Sequence, residues 1–331
     1  MYVDVDEPES ANHSANNGPA SCSKDLRPQT SDLRPARLLA VNIDLDDLRY
    51  YRGIHALPDA PDTPLIFEAA VPRFLDLCDR VGVRATLFTI GRDVAWPEAA
   101  RELRRAVDAG HEVASHSFEH RYDLSQQPEA AIEADLGRAR GVLQDATGQD
   151  VVGFRGPGYN VTPALLAALV RTGHRYDSSV LPSPPYWMAR AAVIASLALR
   201  GRRSSSIVGR ARDFFRRRRA FTWGGAAAGL REFPMTSCGA LRLPLIGTFL
   251  RPWRLRDSLV HAATSLPFVN VEFHALDFLG IAEDRLEPAL EVEPALRVPL
   301  ADRLASFEDA LRTLARARRP ERLRDLGTSD A

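Results

Sequence analysis

A chain of 331 residues holds one large α/β domain or two small ones. Apolar residues make up 45% and charged residues 26%, which is ordinary for a globular protein and excludes a fibrous or low-complexity chain. The 43 basic and 43 acidic side chains balance, so no global field draws in nucleic acid. Arg supplies nearly all the positive charge. Cys22, Cys78 and Cys238 are too few and too widely spaced for a disulfide framework or a zinc knuckle, and Cys78 falls in a helical apolar pattern as a buried thiol. The opening Met1 to Glu7 has neither the basic start nor the apolar core of a secretory signal. No stretch reaches the roughly 18 apolar residues of a membrane span. The expected location is therefore the cytoplasm.

Residues 1–36 are rich in Ser, Asn, Asp, Pro and Ala without a period, the pattern of a disordered leader. Leu38 to Ile43 is a buried strand that runs into the acids Asp44, Asp46 and Asp47. Leu65 to Val81 has helical spacing, stopped by Gly82. Arg84 to Ile90 is a strand. A helix over 97–109 starts on Pro97 and stops at Gly110. Strand 111–115 leads into Ser115-His116-Ser117-Phe118-Glu119-His120. Helix 128–147, strand 151–154, helix 162–172 and strand 175–177 follow, then strands over 230–235 and 268–273 and a last helix over 300–316. The tail 321–331 is expected to fray. Strands alternating with helices of ten or more residues predict a parallel sheet.

The stretch 182–229 interrupts that rhythm. It carries ten arginines, among them Arg216 to Arg219, interleaved with Trp187, Met188, Ile194, Phe214 and Phe215. It is expected to insert one or two basic amphipathic helices. Within it, 186–219 is a candidate patch for an anionic membrane surface.

The polar residues that carry chemistry sit at the carboxyl ends of separate strands, where a (β/α) barrel builds its site. Asp44 and Asp46 share a face because strand side chains alternate, whereas Asp47 points the other way or lies on the loop. His116 and His120, four apart, fall on one side of a helical turn and can reach one divalent ion. Ser117 occupies the place of the general base in a His-Glu-x-x-His peptidase, which argues against that class. An Arg155-Gly156-Pro157-Gly158-Tyr159 turn follows the next strand, and His274 follows a late one.

This order of acid cluster, Ser-His-x-x-x-His, Arg-x-Pro and late His resembles the NodB-type polysaccharide deacetylases, also called carbohydrate esterase family 4, over about 38–180 and 230–280. Ala85 to Gly91, Gly110 to His116 and Tyr176-Asp177-Ser178-Ser179 are similar to further family segments. The resemblance implies a distorted (β/α) barrel of about seven strands, spanning 37–320 with the basic insertion inside it. Laying Leu45-Asp46-Asp47 on the family's Phe-Asp-Asp implies Asp46 as general base and Asp47, His116 and His120 as metal ligands. Asp44 then stands where the family has Thr, with its role open. Arg155 would hold the base ionised, and a backbone N–H of Gly158 or Tyr159 would receive the oxyanion. His274 would be the general acid, oriented by Asp277 or Glu232. One divalent ion is implied, zinc by default. The implied function is metal-dependent removal of an N-acyl group, acetyl first, from a sugar or lipid-linked sugar. A hydrolase of a small cyclic amide or imide and a non-catalytic membrane-associated scaffold are the alternatives.

Overall fold

The computed structural model describes residues 37–327, so the leader 1–36 and the last four residues lie outside it. Every residue of β1 (Leu38–Asp44) is buried, as befits a parallel strand covered on both faces. Asp47 then caps α1 (Leu48–His55). A π-helical turn over Ile66–Ala70 runs into α2 (Val71–Val81), which stops at Gly82 with φ 76. β2 (Thr86–Thr89), α3 (Pro97–Asp108), β3 (Glu112–Ser115), α4 (Glu129–Thr147) and β4 (Gly153–Phe154) continue the alternation. α5 (Pro163–Arg171) is capped by Thr162, whose hydroxyl accepts the Leu165 N–H. β5 (Tyr176–Asp177), α6 (Pro184–Leu199), β6 (Phe221–Thr222) and β7 (Arg231–Glu232) come next. The hairpin β8 (Ser237–Cys238) and β9 (Leu243–Pro244), α7 (Gly247–Leu250), α8 (Arg256–Thr264), β10 (Phe268–His274), α9 (Leu300–Ala315) and β11 (Arg319–Pro320) complete the chain. Cys78 is a buried free thiol, as its place in the helical pattern requires.

The strands curl in the order β10-β1-β2-β3-β4-β5-β7-β6. From β10 to β7 every neighbour is parallel, and only β6 turns back against β7. The segment after β7 then reaches β10: the Thr236 N–H meets the Asn270 carbonyl at 3.1 Å, and Asn270 Nδ2 donates to the Phe233 carbonyl at 3.0 Å. This is the expected distorted barrel of seven parallel strands, joined along one side by a few hydrogen bonds instead of a full ladder. Asp44 is in register with Phe88 and with His274, and Ser115 with Phe154, so the strand ends form one rim. Beneath the rim, Phe74, Phe273, Phe278 and Phe307 pack edge to face, with Phe273 and Phe307 centroids 5.0 Å apart.

Three expectations need correction. First, 182–229 holds one regular helix, and that helix is apolar: Arg190 is the single charged residue in α6, while the other arginines lie on the irregular chain from 200 to 219. Second, 116–120 is a loop and no helical turn. Third, residues 321–327 do not fray. β11 pairs with the start of β1, Leu323 and Leu326 are buried, and the N–H groups of Leu323 and Arg324 reach Thr86 and Glu112, sealing the amino end of the barrel. Among the described residues, no helix is long and apolar enough to cross a membrane.

Candidate active site

The first cluster forms where β1 and β3 end. Strand alternation sends Asp44 and Asp46 to the barrel axis and buries Leu45 in the core between sheet and helices. After β3 the chain turns sharply, with φ of 66° at Ser117 and 51° at His120. That turn is held by Asp135, whose carboxylate accepts the N–H groups of Phe118 (2.8 Å) and Glu119 (3.1 Å), and by Ser117 Oγ, which accepts the His120 N–H at 2.9 Å. The loop thereby swings His120 back beside His116.

Their Nε2 atoms lie 3.1 Å apart, and Asp46 Oδ1 lies 3.3 Å from the first and 3.1 Å from the second. His116 Nδ1 meets the Arg155 carbonyl at 2.7 Å, so Nδ1 carries the proton and Nε2 presents a lone pair. Asp46 Oδ1 is buried and has no well-formed hydrogen bond. Two ring nitrogens and a carboxylate oxygen, all within 4.8 Å and facing one another, fit a single divalent ion with positions left for water and substrate. Burial would push the Asp46 carboxyl up, but His120 and His116 outweigh it and hold it well below its ordinary value.

Asp47 does not join this cluster. Its carboxylate accepts the Arg49 N–H at 2.9 Å and lies 3.7 Å from the Arg49 guanidinium. The physical reason is the start of α1: a helix N-terminus needs a side-chain acceptor, and the residue just before Leu48 supplies it. The overlay on Phe-Asp-Asp is therefore displaced, and Asp46 stands where Asp47 was expected.

The second cluster joins Asp44, Arg155, Tyr159, Glu272 and His274. Arg155 is fully buried over the Phe88 ring, its Nε and Nη2 donating to the Ser178 carbonyl and hydroxyl. Its Nη1 donates to Asp44 Oδ1 at 2.6 Å and lies 3.5 Å from Glu272 Oε1. The expected arginine–carboxylate pair thus forms with Asp44, not with Asp46. Tyr159 Oη donates to Glu272 Oε1 at 2.8 Å and stands 3.1 Å from His274 Nε2. The His274 ring also accepts the Asp277 N–H, while the Asp277 carboxylate accepts the His274 N–H at 2.9 Å. Neither acid expected to steer the imidazole contacts it by its carboxylate. Asp277 holds the backbone, and Glu232 is spent on the Val180 N–H and the Trp223 indole. Burial pushes Glu272 up to about 7, with Arg155 opposing. Burial would push the His274 imidazole down, but Glu272, helped by Asp44, Asp46 and Asp277, raises it to about 9.

Glu272 and the Tyr159 hydroxyl are not singled out by the sequence. The signal was present: a glutamate inside a buried strand, two residues before His274 and so on its face. The Tyr159 N–H, one of the two expected oxyanion donors, is engaged by the Gly156 carbonyl at 2.9 Å. A cleft of about 720 Å³ opens over both clusters, with Asp44, Asp46, His116 and His274 in its lining.

The family described as "Polysaccharide deacetylase" matches residues 59–176, which carry His116, His120 and Arg155. A peptidoglycan deacetylase of Helicobacter pylori is 27% identical over 158 residues, 46% of this chain and 53% of that protein. A peptidoglycan deacetylase-like protein of Gibberella zeae is 28% identical over 150 residues, 43% of each. The chain spans about half the length of the curated relatives it matches. A crystal structure from Mycobacterium smegmatis, described as a polysaccharide deacetylase, superposes with a TM-score of 0.52 at 16% identity, covering 84% of this chain and 83% of that one. That likeness extends the shared barrel well beyond the segment of sequence similarity. Residues 59–176 are thus similar to the polysaccharide deacetylases, and the chain as a whole has the barrel fold found in NodB-type members of that family.

Proposed function

We propose that this domain hydrolyses the N-acyl group, acetyl in the first instance, of an amino sugar, free or carried on a lipid, with one divalent ion held by Asp46, His116 and His120. The observation that carries the reading is the juxtaposition of the two buried clusters: a donor set for an ion beside an arginine-held carboxylate and the His274 imidazole. Such an ion supplies Lewis acidity to the acyl oxygen and lowers the pKa of a water in the site. Zinc is the default, and cobalt, nickel or manganese also suit two imidazoles and a carboxylate.

The protein's own groups divide the proton work. Asp44, held by Arg155 Nη1 at 2.6 Å, accepts the proton of the attacking water. This gives Asp44 the role that the family overlay placed on Asp46. His274 donates the Nε2 proton to the departing amine. Tyr159 Oη orients that imidazole at Nε2 and is itself held by Glu272 Oε1. With the Tyr159 N–H committed, Gly158 is the backbone donor for charge developing on the acyl oxygen. The products are a carboxylate and a free amino sugar.

The arginines of 200–219 extend the reading to an anionic membrane surface. Arg200, Arg202 and Arg203 are exposed, and binding to anionic vesicles should weaken as salt rises. The test of the main reading is the metal content of the purified protein together with acetate release from N-acetylated sugars. Stoichiometric metal and release abolished by chelation are expected. A metal-free protein that still releases acetate would overturn it.

A further inference from the structure

We propose that the cleft beside the two clusters holds an aliphatic chain, so that the amino sugar arrives joined to a lipid and not as a soluble glycan. This rests on the N-deacylase reading for the identity of the sugar end. The observation is the placement and chemistry of α6. Its first turn abuts the catalytic cluster: the Tyr186 and Tyr159 rings are 5.6 Å apart, and the Trp187 indole donates to the Leu181 carbonyl at 3.0 Å. From that anchor the helix extends for about 22 Å at 1.5 Å per residue. Its one charge, Arg190, is drawn aside to the Gly158 carbonyl at 3.0 Å and Ser206 Oγ at 2.7 Å.

Pro185, Ala189, Val193 and Leu197 recur every four residues, form one stripe, and line the cleft. Across from them stand Ile54 and Leu57 after α1, Phe249 of α7, and Val292. The cleft therefore has carboxylates and imidazoles at one end and mainly apolar walls over the rest, with Ser196, Ser206 and the mutually paired His55 and Glu293 set among them. Most hydroxyls of a soluble sugar find no partner on such walls, whereas a hydrocarbon chain loses only water there. The outer face of α6 is apolar too, with Met188 69% and Leu199 90% exposed, which a solvated flap does not require. Leu199 is followed by the exposed cations Arg200, Arg202 and Arg203 at the outer end, where a chain leaving an anionic lipid surface would enter.

The experiment uses the full-length metal-loaded protein and a series of alkyl N-acetyl-β-glucosaminides, methyl to dodecyl, kept below micelle formation, with N-acetylated chitotetraose alongside. Each methylene taken from water contributes about fourfold. Partial burial should still raise kcat/KM at least about tenfold from methyl to octyl, with chitotetraose near the methyl value. Ala189→Asp and Val193→Asp, at exposed positions that tolerate charge, should flatten that slope. A flat wild-type series, or a slope unchanged in both variants, would overturn the proposal. Calorimetry with dodecyl maltoside, which has no amide, separates the two readings. Binding tighter than that of methyl glucoside upholds the groove even if no N-acetyl sugar is turned over, in which case the N-deacylase reading fails instead. Equal binding of the two glycosides overturns the groove.

Discussion

Glu272→Gln tests the link between the buried glutamate and His274. The Glu272 carboxylate lies 4.0 Å from His274 Nε2 and is the largest influence raising that imidazole. Two unit charges at that distance interact by about 4 kcal/mol at an effective dielectric near 20, equivalent to about three pKa units. Two features reduce the figure. Arg155 Nη1, 3.5 Å from the same oxygen, offsets part of the charge, and Glu272, pushed up to about 7, is only partly ionised near neutrality. A shift of roughly one to two units is therefore expected. The sign follows from the role. A general acid works protonated, so activity should fall as pH rises through the His274 value, near 9. Removing an anion lowers an imidazole pKa, so the alkaline limb of kcat/KM should move to lower pH in the variant, with the acid-side plateau little changed. The assay is kcat/KM against pH from about 5 to 10 on a soluble N-acetylated sugar, with metal content measured at both ends. Tyr159→Phe keeps the Glu272 charge and breaks the bridge, so its limb should move less while its plateau falls. An alkaline limb that stays in place in Glu272→Gln, or moves upward, would refute this account of His274.

Four further expectations concern the carboxylates and the arginine that pairs with them. Asp46→Ala should abolish metal binding measured by elemental analysis, while Asp47→Ala should keep the metal and lose about 1 kcal/mol of folding stability with the α1 cap. Asp44→Asn should keep the metal and lower kcat by about 10²–10⁴-fold, seen in steady-state acetate release. Arg155→Met should leave Asp44 and Glu272 buried without their cation and reduce stability by about 3–5 kcal/mol, read from the urea midpoint, because breaking one side of a buried pair costs more than the pair itself contributes.

Much of the barrel was legible in the sequence because its strands are buried on both faces. Leu38 to Ile43 and Phe268 to Phe273 are near-continuous apolar runs, and Gly82, Pro97 and Gly110 mark helix ends where the structure has them. What was missed lacks either a period or a length. α1 has Arg49, Arg52 and Gly53 within eight residues, and its apolar side is short. The hairpin of β8 and β9 has two residues per strand, below what alternation can reveal. The stretch 182–229 misled because its arginines and its apolar residues were pooled. The fold separates many of them, putting Trp187, Met188 and Ile194 on α6 and every arginine but Arg190 beyond it, where Phe214 and Phe215 also lie.

The site shows which kind of sequence reasoning carries geometry. Alternation along β1 placed Asp44 and Asp46 on one face, and that is the face on which the structure holds them, with Asp46 by the imidazoles and Asp44 by Arg155. Overlay on Phe-Asp-Asp gave a different answer because it assumes adjacent acids, whereas here Leu45 intervenes and is drawn into the core. The same rule would have found Glu272, which shares a face with His274. A buried strand carboxylate must be answered by a partner, and its place along the barrel says which kind. Glu112, at the amino end of β3, is answered by Thr86, Tyr176 and the Arg324 N–H, groups that hold the tail in place. Asp44 and Glu272, near the carboxyl ends of neighbouring strands, are answered by one arginine and a tyrosine that also meets His274. The first arrangement closes the barrel floor. The second leaves an imidazole edge facing an open cleft, which is where proton transfer to a substrate requires it to be.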